Sequence, residues 1–228
     1  SERHRGCRPD SIMSSSTTLA QILERPDVWR GDALARAALP GVPTGFADLD
    51  RELPGGGWPR GGLTELLPRR HGVGELSLLL PALARLSRDE LAWLVCIAPP
   101  YLLYAPALQA GGVDLSRLLV ASAPGRDAAW ACERSLAADG VGAIVVWLPE
   151  VQAASLRRLQ LAAEASQALL FVFRPAACAS QPSPAPLRLA LEAEGEQLIV
   201  HLLKRRGSAQ PLPLPIAVQR PLYLRHAL

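Results

Sequence analysis

The chain has 228 residues with a formal net charge of +3, and 23 of its 24 basic side chains are arginine. The single lysine is Lys204, so no G-K-[ST] triplet exists and a standard lysine-bearing phosphate loop is excluded. Hydrophobic residues make up 49% of the chain, ample for a single-domain core, and a charge this small does not impose a nucleic-acid partner.

Residues 1–13, which end on the only methionine, Met13, read as a disordered leader or expression remnant. A Ser/Thr run at 14–17 caps a predicted helix near 18–24, which Pro26 ends, and a second helical stretch follows near 32–38. A glycine- and proline-rich block spans 40–62, with one short helix predicted over 47–53. Beyond it, apolar runs alternate with helical periodicity. Strands are predicted at 63–67, 91–98, 118–122, 143–148 and 169–174, and helices at 75–88, 126–138 and 151–167. Pro81 must kink the first of these helices or sit in its first turns. The run LAWLVCIA at 91–98 is continuous rather than alternating, as in a strand covered on both faces.

Strands alternating with helices of this length predict an α/β fold: a mostly parallel central sheet flanked by helices, with right-handed crossovers. The end of the chain differs. Segments 187–193 and 197–203 flank Glu194-Gly195-Glu196 and predict an antiparallel hairpin at the C-terminal edge of the sheet. Segment 177–186 reads as a loop, and 207–228 as an irregular proline-rich tail. No run of about 18 apolar residues is free of charge, and no apolar segment follows the N-terminal arginines, so neither a membrane span nor a secretory signal is expected. The four cysteines, Cys7, Cys96, Cys132 and Cys178, form no C-x-x-C pair and have no histidine at ligand spacing. A reducing, cytoplasmic setting and no metal follow as expectations.

The first predicted strand, a glycine loop and a helix occur together at 63–88, the place of a phosphate loop. Such a loop needs backbone N–H groups aimed at phosphate, a lysine for the outer phosphates and a hydroxyl for magnesium. Gly72 and Gly74 are present, but Glu75 stands at the lysine position and Leu76 at the Ser/Thr position. At ~4 Å and an effective dielectric of ~20 a unit charge pair is worth about 4 kcal/mol, so a glutamate here opposes a triphosphate strongly. The metal-holding acid expected at the end of a later buried strand is replaced by Trp147. The end of 91–98 offers Pro99-Pro100-Tyr101 and no carboxylate to orient water.

The segment VPTGFADLDRELPGGGWPRGGLTELLP at 42–68 resembles the approach to the phosphate loop of a RecA-like ATPase core, and Gly112-Val113-Asp114 before a strand and GVGAIVVWL at 140–148 resemble later parts of it. The resemblance spans roughly 40–206. More specifically, G-G-G-W-P at 55–59, G-V-G-E-L at 72–76, P-A-L-A at 81–84 and K-R-R-G at 204–207 resemble ImuA, with the SulA-type proteins as the alternative. The resemblance implies a RecA-like degenerate domain over 40–206, an N-terminal helical segment over 14–39 and a tail over 207–228. It implies no catalytic residue and no cofactor. It further implies a non-catalytic helper in SOS-induced translesion DNA synthesis, with an ImuB-type inactive Y-family polymerase as partner and RecA, an error-prone C-family polymerase and DNA as further contacts. The SulA-type alternative implies a cell-division inhibitor acting on the tubulin-like division protein. Lys204, Arg205 and Arg206, with Arg69 and Arg70 beside the glycine loop, are the candidate DNA or anion contacts, and Trp58 in its glycine-rich turn is the candidate partner contact.

Overall fold

A computed structural model of the chain describes residues 40–123, 125–205 and 212–218. The predicted helices at 18–24 and 32–38 lie outside the described residues. The elements in chain order are α1 (Ala47–Glu52), β1 (Gly62–Pro68), α2 (Leu80–Arg88), β2 (Trp93–Ile97), α3 (Ala105–Ala110), β3 (Leu118–Ala121), α4 (Arg126–Leu136), β4 (Val141–Trp147), α5 (Ala153–Ser166), β5 (Leu169–Phe173), β6 (Leu187–Glu194), β7 (Gln197–Lys204) and β8 (Leu214–Ile216). All eight strands join one sheet in the order β3-β2-β4-β5-β1-β6-β7-β8. Pairings from β3 through β6 are parallel, and β6–β7 and β7–β8 are antiparallel. This is the predicted mostly parallel sheet with a C-terminal antiparallel hairpin, and it is compatible with a RecA-like core.

The continuous apolar strands sit centrally because both of their faces are covered. On one face Leu66, Cys96, Val145 and Phe171 pack with Trp58 and with Leu79, Leu83 and Leu86 from the α2 region. On the other, Leu63, Val95, Ile144 and Leu170 pack under Cys132 of α4 and Leu156 and Leu159 of α5. The two-residue turn between β6 and β7 places Gly195 at φ +56°, a backbone region that favours glycine.

Four expectations need correction. The helix predicted over 75–88 begins only at Leu80, with Pro81 in its first turn, because a proline deeper in the helix would lack an N–H for the ladder. Residues 75–79 form hydrogen-bonded turns instead, with Leu80 N–H donating to the Leu76 carbonyl at 3.2 Å. The tail predicted irregular contributes a strand, β8, whose Pro215 is tolerated because the strand lies at the sheet edge. The loop at 177–186 contains a 3-10 turn over Ala176–Ser180, and α3 occupies a stretch for which no helix was predicted.

Candidate functional site

The carboxyl ends of the parallel strands open into a two-lobed groove. One lobe is a cavity of about 440 Å³ reached by the ends of β1, β2, β4 and β5, with Arg69, Arg70, His71, Trp147, Glu150 and Arg174 among its lining. The second, about 230 Å³, lies between the glycine loop and the segment that follows β2, with Glu75, Leu80, Tyr101, Leu102 and Tyr104 among its lining. Pro100 and Trp147 line both lobes. Ligands of open α/β sheets bind outside the carboxyl ends of the strands, so this is the expected place for one.

The glycine loop is internally occupied. Glu75 is buried, and its Oε1 accepts the backbone N–H of Gly72 at 2.9 Å. Gly72 and Gly74 have φ of +79° and +97°, the left-handed turns that bring this N–H round to the carboxylate. A donor that a phosphate loop would offer to an anion is therefore satisfied by the chain's own anion. Leu76 is half-buried and packs against the core. Trp147 is buried at the end of β4, stacked on Phe173 with ring centroids 5.1 Å apart and planes at 18°. An indole fills the ground where a metal-binding carboxylate would stand. Among the described residues, no three His, Cys, Asp or Glu side chains converge as a metal site.

His71, lining the larger lobe, is set edge-to-face on Tyr101, lining the smaller, at 5.8 Å between ring centroids. Tyr101, Leu102 and Tyr104 are exposed, Leu102 at 98%. At the end of β2, Ala98 adopts φ +53° and lines the larger lobe. Non-glycine residues in this region carry strain of order 1 kcal/mol, and such strain concentrates at functional sites.

The predicted basic contacts separate. Arg69 is paired with Glu192 at 2.8 Å, whereas Arg70 is exposed and has no ion-pair partner among the described residues. Lys204 Nζ donates to the Ser183 carbonyl at 3.0 Å, on the hairpin side of the sheet. Arg205 is engaged with Glu52, donating to its carboxylate at 2.8 Å and also to its backbone carbonyl, and so ties the end of β7 to the end of α1. Arg206 lies outside the described residues. Lys204 stays exposed while Arg205 is half-buried, and both lie apart from Arg69 and Arg70.

Trp58 is a correction. It is fully buried and set edge-to-face on Phe171 at 5.1 Å and 86°, so it offers no surface to a partner. The reason is local: Trp58 and Val42 form a backbone bridge, and a Cβ at Gly57 would come within 2.2 Å of the Val42 carbonyl oxygen. Only glycine allows that approach, and the approach folds the indole into the core. Its Nε1–H is buried without a hydrogen-bond partner among the described residues.

Sequence reasoning missed a buried charge cluster beneath the groove. Glu65, in the middle of β1, is 0% exposed. Its Oε1 accepts from Arg174 at 2.8 Å and its Oε2 from Arg188 at 2.5 Å. Arg188 also donates to the carbonyls of Cys178 and Ala179, and Arg174 to Gln181. The cluster ties β1, β5, β6 and the 176–180 turn together and fixes the base of the larger lobe. A lone glutamate inside an apolar strand run, LTELLP, was the available signal.

A family model described as the MT3502 N-terminal domain matches residues 51–178, more than half of the chain. No curated protein matches it.

Proposed function

The chain belongs to the MT3502 N-terminal domain family, and we propose that within it the chain acts as a non-catalytic, ImuA-type accessory protein of an SOS-induced translesion synthesis complex. It works by protein–protein contact with an ImuB-type inactive Y-family polymerase, with RecA and an error-prone C-family polymerase as further contacts. The single observation that carries the non-catalytic part is the Glu75 carboxylate bound to the Gly72 N–H inside the glycine loop. A triphosphate entering there would displace this bond and meet a negative charge, which at ~4 Å and an effective dielectric of ~20 costs about 4 kcal/mol per charge pair. Trp147 stacked on Phe173 supports the same reading, since it puts an indole rather than a carboxylate at the end of β4. The ImuA-type part rests on the sequence resemblance. DNA contact, where it occurs, falls to Arg70 rather than to Arg69 or Arg205, which are engaged with Glu192 and Glu52.

The test has two arms on the purified full chain. Calorimetric titration with Mg-ATP is expected to give no saturable binding up to about 1 mM, the bound of a very weak site. Co-purification with the ImuB-type protein is expected to give a stable complex. Metal-dependent ATP turnover that is lost on Glu75→Ala would refute the non-catalytic reading, and failure to bind the ImuB-type protein would refute the adaptor reading.

A further inference from the structure

The glycine-loop lobe is a concave, largely apolar surface. Its polar donor at Gly72 is taken by Glu75. Apart from Ser77, the other side chains lining it are aliphatic or aromatic, among them Leu76, Leu80, Leu103, Leu108, Tyr101 and Tyr104. Leu102, at 98% exposure, projects an aliphatic side chain wholly into solvent beside it. Exposed aromatic and aliphatic side chains clustered over a concave apolar floor mark interaction sites.

Charge selects the kind of occupant. Across the His71–Tyr101 contact the larger lobe presents Arg70, exposed and without an ion-pair partner among the described residues, next to Arg69, which is paired with Glu192. One lobe is mainly apolar, and the other carries Arg70 as its cation without an ion-pair partner among the described residues, alongside Glu150. A polynucleotide fits poorly, because the glycine-loop lobe is lined mainly by leucine, proline and tyrosine and its Gly72 N–H is already taken by Glu75. A peptide segment with apolar side chains followed by carboxylates satisfies both ends.

We propose that this two-lobed groove is the docking site for the adaptor's protein partner, and that the docked segment places apolar side chains against Tyr101, Leu102 and Tyr104 and carboxylates against Arg70. The proposal rests on the adaptor reading and names its surface.

The experiment measures binding of the intact ImuB-type protein to the full chain and to Leu102→Asp and Arg70→Glu, by fluorescence anisotropy at low and at high salt. Both positions are exposed, so the fold tolerates the changes, and an unchanged circular dichroism melt verifies this. Leu102→Asp is expected to weaken binding by at least about tenfold, as loss of an apolar anchor does. Arg70→Glu is expected to weaken it by about threefold or more at low salt and by less at high salt. Binding that is unchanged in both variants overturns the groove and leaves the adaptor reading standing. Absence of binding by the unaltered chain overturns both.

A photo-reactive benzoylphenylalanine installed at position 102 identifies the occupant. Cross-links to an apolar–acidic segment of the ImuB-type protein support the proposal. Cross-links confined to a second copy, to this chain's own residues 1–39 or to added single-stranded DNA overturn it.

Discussion

Glu65→Gln tests whether the buried charge cluster holds the sheet together. The substitution keeps the side chain's shape and removes its charge. In the native protein one carboxylate at 0% exposure faces two guanidinium groups at 2.8 and 2.5 Å, with Arg174 and Arg188 at 5% and 8% exposure. Each charge pair is worth about 4 kcal/mol at ~4 Å and an effective dielectric of ~20, and removing Glu65 leaves two buried cations with their carboxylate gone. Breaking a buried pair in this way costs about 3–5 kcal/mol, a large share of a domain stability of about 5–15 kcal/mol. At about 2–4 °C per kcal/mol for a chain of this size, the midpoint should fall by roughly 6–20 °C. Urea and thermal unfolding followed by circular dichroism measure both quantities. The triple variant Glu65→Leu, Arg174→Met, Arg188→Met should recover most of the loss, since apolar replacement of a whole buried cluster is neutral to stabilising. A loss below about 1 kcal/mol for Glu65→Gln, or a triple variant as unstable as the single, would refute this account of the cluster.

Trp58→Ala should cost about 3–5 kcal/mol by chemical denaturation, the range for deleting a buried aromatic, whereas Trp58→Phe should cost markedly less because it removes a buried, unpaired N–H along with part of the ring. Dithiobis-nitrobenzoate at pH 8 should leave Cys96, Cys132 and Cys178 unmodified in the folded chain, mapped by peptide mass, and label all three in urea. Burial pushes the Cys96 thiol from 9.0 up to about 12, and Cys132 is raised by burial first and by the Glu133 charge second. A raised folded value means that the contribution to stability is complete below the unfolded value, so unfolding free energy should fall as pH rises from 9.0 toward about 12. Cys96→Ala should flatten part of that slope.

The parallel sheet was legible because its strands are continuous apolar runs and its helices have regular leucine spacing. That is a local signal, readable without knowing the neighbours. The start of α2 was not, because the leucine period runs on through 76–80 while the backbone obeys Pro81. β8 was hidden because Leu214–Ile216 is a short, proline-containing segment that becomes a strand only against β7. At the candidate site, the replacements at 75, 76 and 147 were readable as residue types. The bond from Gly72 to Glu75 and the edge-to-face contact of His71 with Tyr101 are properties of the folded chain. Trp58 misled for a physical reason: a tryptophan among glycines reads as exposed, yet those glycines allow the close backbone approach that buries it. Glu65 was invisible as a cluster because its partners are 109 and 123 residues away in sequence.

Glu75 also explains how a phosphate-loop frame can be kept without phosphate. A loop that aims backbone N–H groups at an anion needs another acceptor for them when no anion is bound. The carboxylate at position 75 supplies the missing acceptor from within the chain, at 2.9 Å. Reversion is therefore not a matter of one residue. Glu75→Lys would remove the internal acceptor and still leave Leu76 where a hydroxyl is needed and Trp147 stacked on Phe173 where the metal's carboxylate would stand. Three separate side chains, Glu75, Leu76 and Trp147, are engaged in packing and internal hydrogen bonding at this end of the sheet. Under the adaptor reading proposed above, the largely apolar surface between the glycine loop and Tyr104 is what the chain offers its partner.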